Sequence, residues 1–120
     1  MIDLRHTSGR IVLVCHDGER RAAVEQRLPS VETPTSAIEA MLAVVRRPAD
    51  AVLIDLDDLP HSAAAFLSAL RRAAPAMPVY ALVKAEDEPR AHDLLPEGLA
   101  GYFVVPGDLA RLGEVVPHGA

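Results

Sequence analysis

The run Ala51-Val52-Leu53-Ile54 ends abruptly in Asp55-Leu56-Asp57-Asp58-Leu59-Pro60. An unbroken apolar run of this length lacks the alternation of a half-exposed strand. It fits a strand covered on both faces, as in a parallel sheet between two layers of helices. Three carboxylates and a proline then stop it. In open α/β sheets, ligands bind in the crevice beyond the carboxyl ends of the strands. Asp55 stands where such a strand would emerge, so it is the first position to consider for a functional group.

A chain of 120 residues predicts one domain, 1–120, with its packed core over about 10–116. Half the residues are apolar, but only two Tyr and two Phe are present, so the core must be Val, Leu, Ile and Ala. The net charge is −5 and the basic residues are scattered, which excludes a nucleic-acid surface built on clustered Lys and Arg. The single cysteine, Cys15, excludes an intramolecular disulfide and fits a reducing compartment. No apolar run approaches the roughly 18 residues of a membrane span, and the first residues lack a signal-peptide pattern. A soluble, cytoplasmic, acidic α/β domain without a membrane partner is expected.

In chain order, a polar leader precedes a first buried strand at Ile11-Val12-Leu13-Val14, and Cys15-His16-Asp17-Gly18 forms the loop after it. Glu19 to Leu28 is predicted helical, with Val24 and Leu28 one turn apart on the buried side and Pro29 as the stop. Ser30 to Pro34 is a weak strand. Ser36 and Glu39 have capping-box spacing, and Ile38, Leu42 and Val45 repeat at helical spacing with Met41 beside them, so they are the expected inward stripe. Arg46 and Arg47 complement the dipole of that helix before Pro48. After the central strand, Ser62 is placed to cap a helix through Arg72 whose inward face is Phe66, Leu67 and Leu70. Val79 to Val83 is the fourth strand. Asp87 and Pro89 open a short fourth helix ending near Pro96, with Ala91, Leu94 and Leu95 on its apolar side. Gly101 to Val105 is the fifth strand. A last helix, weakened by Gly113, turns Leu109, Leu112 and Val116 inward. Five strands alternating with five helices imply right-handed crossovers and a parallel sheet with helices on both faces.

Three stretches resemble the receiver domain of two-component response regulators. Asp50-Ala51-Val52-Leu53-Ile54-Asp55 is similar to its third strand, which ends in the phosphoacceptor aspartate. Met77-Pro78-Val79-Tyr80-Ala81-Leu82 resembles the start of its fourth strand. Gly101-Tyr102-Phe103-Val104-Val105-Pro106 resembles its fifth, with the aromatic switch position at Tyr102. The resemblance implies a flavodoxin-like (βα)5 doubly wound sandwich with strand order 2-1-3-4-5. It also implies a protein partner or a homodimer through the face of the fourth helix, fifth strand and fifth helix.

The departures from that pattern bear on function. A working receiver holds Mg²⁺ with an acidic pair after the first strand, where this chain has Cys15 and His16 followed by Asp17. Mg²⁺ demands oxygen ligands, for which thiol and imidazole are poor substitutes. The hydroxyl that follows the phosphoryl group is replaced by Val83 (or Lys84 with a one-residue slip), and the charge-neutralising lysine by Val105. Phosphoryl transfer depends on such charge-neutralising groups. The expectation is therefore a non-enzymatic pseudo-receiver with weak or absent Mg²⁺ binding and no resident metal or cofactor, acting through protein contacts. The alternatives are a degenerate receiver still phosphorylated on Asp55, and a metal or small-molecule sensor at the Cys15, His16 and Asp55 rim. Against the sensor, Cys15 reads as a small buried hydrophobe, His16 and His61 as solvated, and Asp57 and Asp58 as a charged turn.

Overall fold

The computed structural model describes residues 10–28 and 31–115. The expected leader before Arg10, the stop at Pro29, the start of the second strand at Ser30 and the inward Val116 lie outside them. Strands β1 (Ile11–Val14), β2 (Val31–Glu32), β3 (Ala51–Asp55), β4 (Val79–Val83) and β5 (Gly101–Val104) alternate with helices α1 (Gly18–Glu25), α2 (Ala37–Arg46), α3 (Ala63–Ala73), α4 (Glu88–Asp93) and α5 (Leu112–Val115). All strand pairs are parallel and the order is β2-β1-β3-β4-β5. No helix among the described residues is long and apolar enough to cross a membrane.

Strand parity divides the core into two layers. Successive side chains of a strand point to opposite faces. Val12, Val14, Val52, Ile54, Val79 and Ala81 pack under α2 and α3. Ile11, Leu13, Cys15, Leu53, Leu82 and Phe103 pack with Val24 and Leu28 on the α1 side, and Leu112 of α5 joins them. Phe66, Leu67 and Leu70 of α3 face inward as the spacing predicted, and Ala91 of α4 is buried with Leu56 and Val83. By the same parity Asp55 follows Leu53 onto the α1 side. The register β1–β3–β4 sets Val14 beside Ile54, and Asp55 beside Leu82, so the ends of three strands form one edge.

One expected face is reversed. Helix α2 buries Ala37, Ala40 and Val44, whereas Ile38, Leu42 and Val45 are 57%, 57% and 55% exposed. Both sides of α2 are apolar at helical spacing, so periodicity alone does not choose between them. The small side wins because alanines let the helix approach the sheet closely, while the bulkier branched set would hold it off. The Ser36 half of the expected capping box forms, with Ser36 Oγ accepting from the Glu39 N–H at 3.1 Å, whereas the Glu39 carboxylate turns to Thr35 and accepts from its hydroxyl at 2.6 Å. Ser62 stands at the start of α3 but makes no side-chain capping bond.

Neighbouring valines on α2 test this orientation. Val44→Ala removes two methyl groups from a fully buried position and is expected to cost about 2 kcal/mol. Val45→Ala, on the exposed side, should stay within about 0.5 kcal/mol. Denaturant unfolding of the two variants in dilute solution checks it, and equal losses would mean the helix is turned the other way.

Candidate functional site

The site lies at the carboxyl edge of the sheet, beyond β1, β3 and β4. Asp55 ends β3 with its side chain only 3% exposed. A carboxylate that far from water must be paired or neutralised. Arg20 supplies the charge: its guanidinium Nη1 donates to Asp55 Oδ2, and its own side chain is 16% exposed. The Cys15 thiol donates to the same oxygen at 3.4 Å, and the Asp57 N–H donates to Asp55 Oδ1 at 3.0 Å. Both carboxylate oxygens are thus engaged within the protein.

Arg20 is the residue that sequence reasoning missed. It reaches the site because Asp17 caps α1, accepting from the Arg20 N–H at 2.9 Å and fixing the first turn of the helix. Arg20 and Val24 fall at i and i+4, one stripe of the helix, which ends at Glu25, short of the Leu28 expected on it. An arginine on the inward stripe requires a buried anion opposite, and the strand-end aspartate was available. That spacing was the legible signal.

Around this pair the charges form a small network. Arg20 lies 3.9 Å from carboxylate oxygens of both Asp17 and Asp57, and Lys84 Nζ lies 3.9 Å from Asp57 Oδ2. Arg20, Lys84, Asp17, Val105 and Pro106 line a recess of about 370 Å³. The Val105–Pro106 peptide is cis. Burial pulls the Arg20 guanidinium down, but its bond to the Asp55 carboxylate and that group's charge more than offset this and leave it above its ordinary value. Burial, reinforced by the charge of Asp55, pushes the Cys15 thiol up to about 12, so it stays protonated and can donate. The Arg20 N–H holds the Asp17 carboxyl below its ordinary value.

His16 is exposed, as expected of a solvated ring, and it is also bonded. Its N–H donates to Asp58 Oδ2 at 2.9 Å, its Nδ1 faces Asp58 Oδ1 at 2.8 Å, and its Nε2 faces the Thr35 carbonyl. A ring with an acceptor on each nitrogen is satisfied as the imidazolium, in which both donate. The Thr35 carbonyl and the Asp58 carboxylate accordingly raise its pKa above 6.5. His16 therefore ties the loops after β1, β2 and β3 together on the exposed rim.

The other predicted positions divide. Val105 reaches the recess beside Arg20, whereas Val83 points the opposite way, against Ala91 and Leu56. Tyr102 does not turn toward Asp55; its hydroxyl donates to Glu88 on α4 at 2.8 Å, and that bond raises its pKa. Cys15 Sγ, an Asp55 oxygen and an Asp58 oxygen lie within 4.8 Å of one another.

No protein-family model matches the sequence, and a search of curated proteins returns no match. Solved structures do match. The N-terminal signal receiver domain of a two-component response regulator from Bacteroides fragilis is 23% identical, with a TM-score of 0.76 over 92% of this chain and 94% of that one. This chain has the receiver-domain fold. The receiver domain of NtrX from Brucella abortus is 20% identical with a TM-score of 0.74, over 91% and 96% of the two chains. Against a longer NtrX chain the match covers 92% of this chain but 25% of that one, so this chain spans about a quarter of it. On the receiver fold, Asp55 occupies the end of the third strand and Arg20 projects into the same edge from the first helix.

Two outcomes follow from the geometry. Arg20→Gln leaves a buried carboxylate without its cation and should destabilise the protein by about 3 kcal/mol, while adding Asp55→Asn should restore most of that loss. A double-mutant cycle in denaturant measures the coupling. A raised His16 pKa contributes stability that is complete below the ordinary histidine value of 6.5 and is lost as pH climbs through the higher folded-state value. The thermal midpoint should therefore fall across that window in the parent protein and lose this component in His16→Gln.

Proposed function

We propose that this chain is an atypical receiver that regulates through protein contacts without aspartyl phosphorylation. The observation that carries the reading is the Arg20 guanidinium seated on the buried Asp55 carboxylate. A receiver aspartate attacks phosphorus with a free oxygen beside a divalent cation. Here one Asp55 oxygen carries Arg20 and Cys15, and the other carries the Asp57 amide. The guanidinium stays charged at any ordinary pH, so it neutralises Asp55 permanently. The donor set fits Mg²⁺ poorly: one thiol that keeps its proton, one carboxylate held by arginine, and one, Asp58, held by His16. The same protonated thiol and engaged carboxylates disfavour a transition metal, which binds thiolate. Val83 and Val105, where the resemblance calls for a hydroxyl and a lysine, add no group that could follow or neutralise a phosphoryl oxygen.

In this reading the domain is the regulatory part of a signalling protein and performs no chemistry. A partner protein would meet the face of α4, β5 and α5. The Tyr102–Glu88 bond fixes β5 to α4 there, beside an open recess that includes Pro89 and His92.

A second reading has one observation in its favour. Lys84 stands at the rim, 3.9 Å from Asp57, and could supply the positive charge that Val105 cannot. Phosphorylation of Asp55 would then require Arg20 to swing from the carboxylate toward the incoming group. Intact mass after incubation with acetyl phosphate and Mg²⁺ separates the two. The pseudo-receiver reading expects no added phosphoryl group, in the parent or in Arg20→Gln. A phosphoryl adduct in the parent that disappears in Asp55→Asn would overturn it.

A further inference from the structure

We propose that the outward face of α2 is a self-association surface, on which a second copy of this chain packs its own α2 antiparallel about a two-fold axis. The proposal stands on α2 alone and does not draw on the reading of Asp55.

The exposed large apolar side chains of the described residues are Ile38, Leu42 and Val45. Their spacing of four and then three is the alternation of a coiled-coil seam. Ala37, Ala40 and Val44, which hold α2 to its own sheet, lie on the opposite side, so both functions fit on one helix. An apolar stripe of this kind on both sides of a surface helix marks a covered face.

The charges beside the seam select the occupant. Glu39 and Arg46 are seven residues apart, so they hold the same heptad position on one flank. Both are exposed, and Arg46 forms no ion pair among the described residues. When two such helices run antiparallel, this flank of one meets the same flank of the other with the order reversed. Glu39 of each copy then faces Arg46 of the other, in two equivalent pairs. A parallel arrangement does not bring these two positions together. Leu42 falls near the two-fold axis, with Ile38 opposite Val45 of the second copy. The helix dipoles also run antiparallel, and the arrangement is isologous and closed. The seam is short, about 10 Å from Ile38 to Val45, so the dimer is concentration-dependent rather than obligate.

Sedimentation equilibrium of the whole chain up to about 1 mM tests it, with helix content checked by circular dichroism for every variant. The parent should show a monomer–dimer equilibrium that weakens with added salt. Leu42→Glu should raise the dissociation constant about a hundredfold or more, since it acts in both copies. Arg46→Glu alone and Glu39→Lys alone should each weaken association about tenfold. An equimolar mixture of these two should regain the parent affinity, because each Glu of one chain then faces a Lys or Arg of the other. Monomer throughout the range, a dimer indifferent to Leu42→Glu, or a mixture no tighter than its components would each overturn the proposal. So would α2 amides that become exposed to hydrogen exchange when residues 1–9 are deleted from a monomeric parent, which would make the chain's own leader the cover.

Discussion

The interaction on which this structure turns is the pairing of Arg20 with Asp55. Strand β3 delivers a carboxylate into a region where water barely reaches, and the fold must answer its charge. In many sites of this geometry a metal ion could do so. Here a side chain of α1 does, and the choice has consequences beyond the pair itself. It fixes the first turn of α1 against the end of β3 and determines which Asp55 oxygens are occupied. The neighbouring Cys15 stays protonated because it is buried and lies beside the Asp55 carboxylate, although the Arg20 charge works against this. A buried ion pair is weak evidence for net stability, since desolvation consumes much of the attraction. Its clearer effect is to occupy the Asp55 carboxylate from within the chain.

The rim around that pair is tied together by further polar contacts. His16 holds three loops through two ring nitrogens and a backbone amide, and Asp57 is shared between Arg20 and Lys84. The loops after β1, β2 and β3 are thus cross-linked by side chains. On the far side, Tyr102 is committed to Glu88 and lies outside this network.

Helix α2 shows how surface and core compete for one sequence. Its alanines and Val44 meet the sheet, and Ile38, Leu42 and Val45 are left facing out. The inward side gains from close approach, and the outward side keeps a large apolar area that is better covered. A second copy of α2 covers it without demanding anything new of the domain.

Much of the fold was legible from the sequence because it depends on local pattern. Unbroken apolar runs at Ile11–Val14, Ala51–Ile54 and Val79–Val83 dictate buried parallel strands, and the capping residue Ser36 sets a helix start through a bond to a nearby amide. The strand order came from family resemblance, since alternation of strands and helices is compatible with several orders. The position of Asp55 at a strand end, and its company with Cys15, were also readable. The face of α2 was not, because both sides of that helix are apolar and only the shape of the sheet beneath decides which fits. The partner of Asp55 was not read either. Arg20 and Asp55 are 35 residues apart, and each has other charged neighbours in sequence. Local composition determined that a buried carboxylate would stand at the end of β3; only the packing of α1 over that edge decided that its counter-charge would be an arginine of the chain itself.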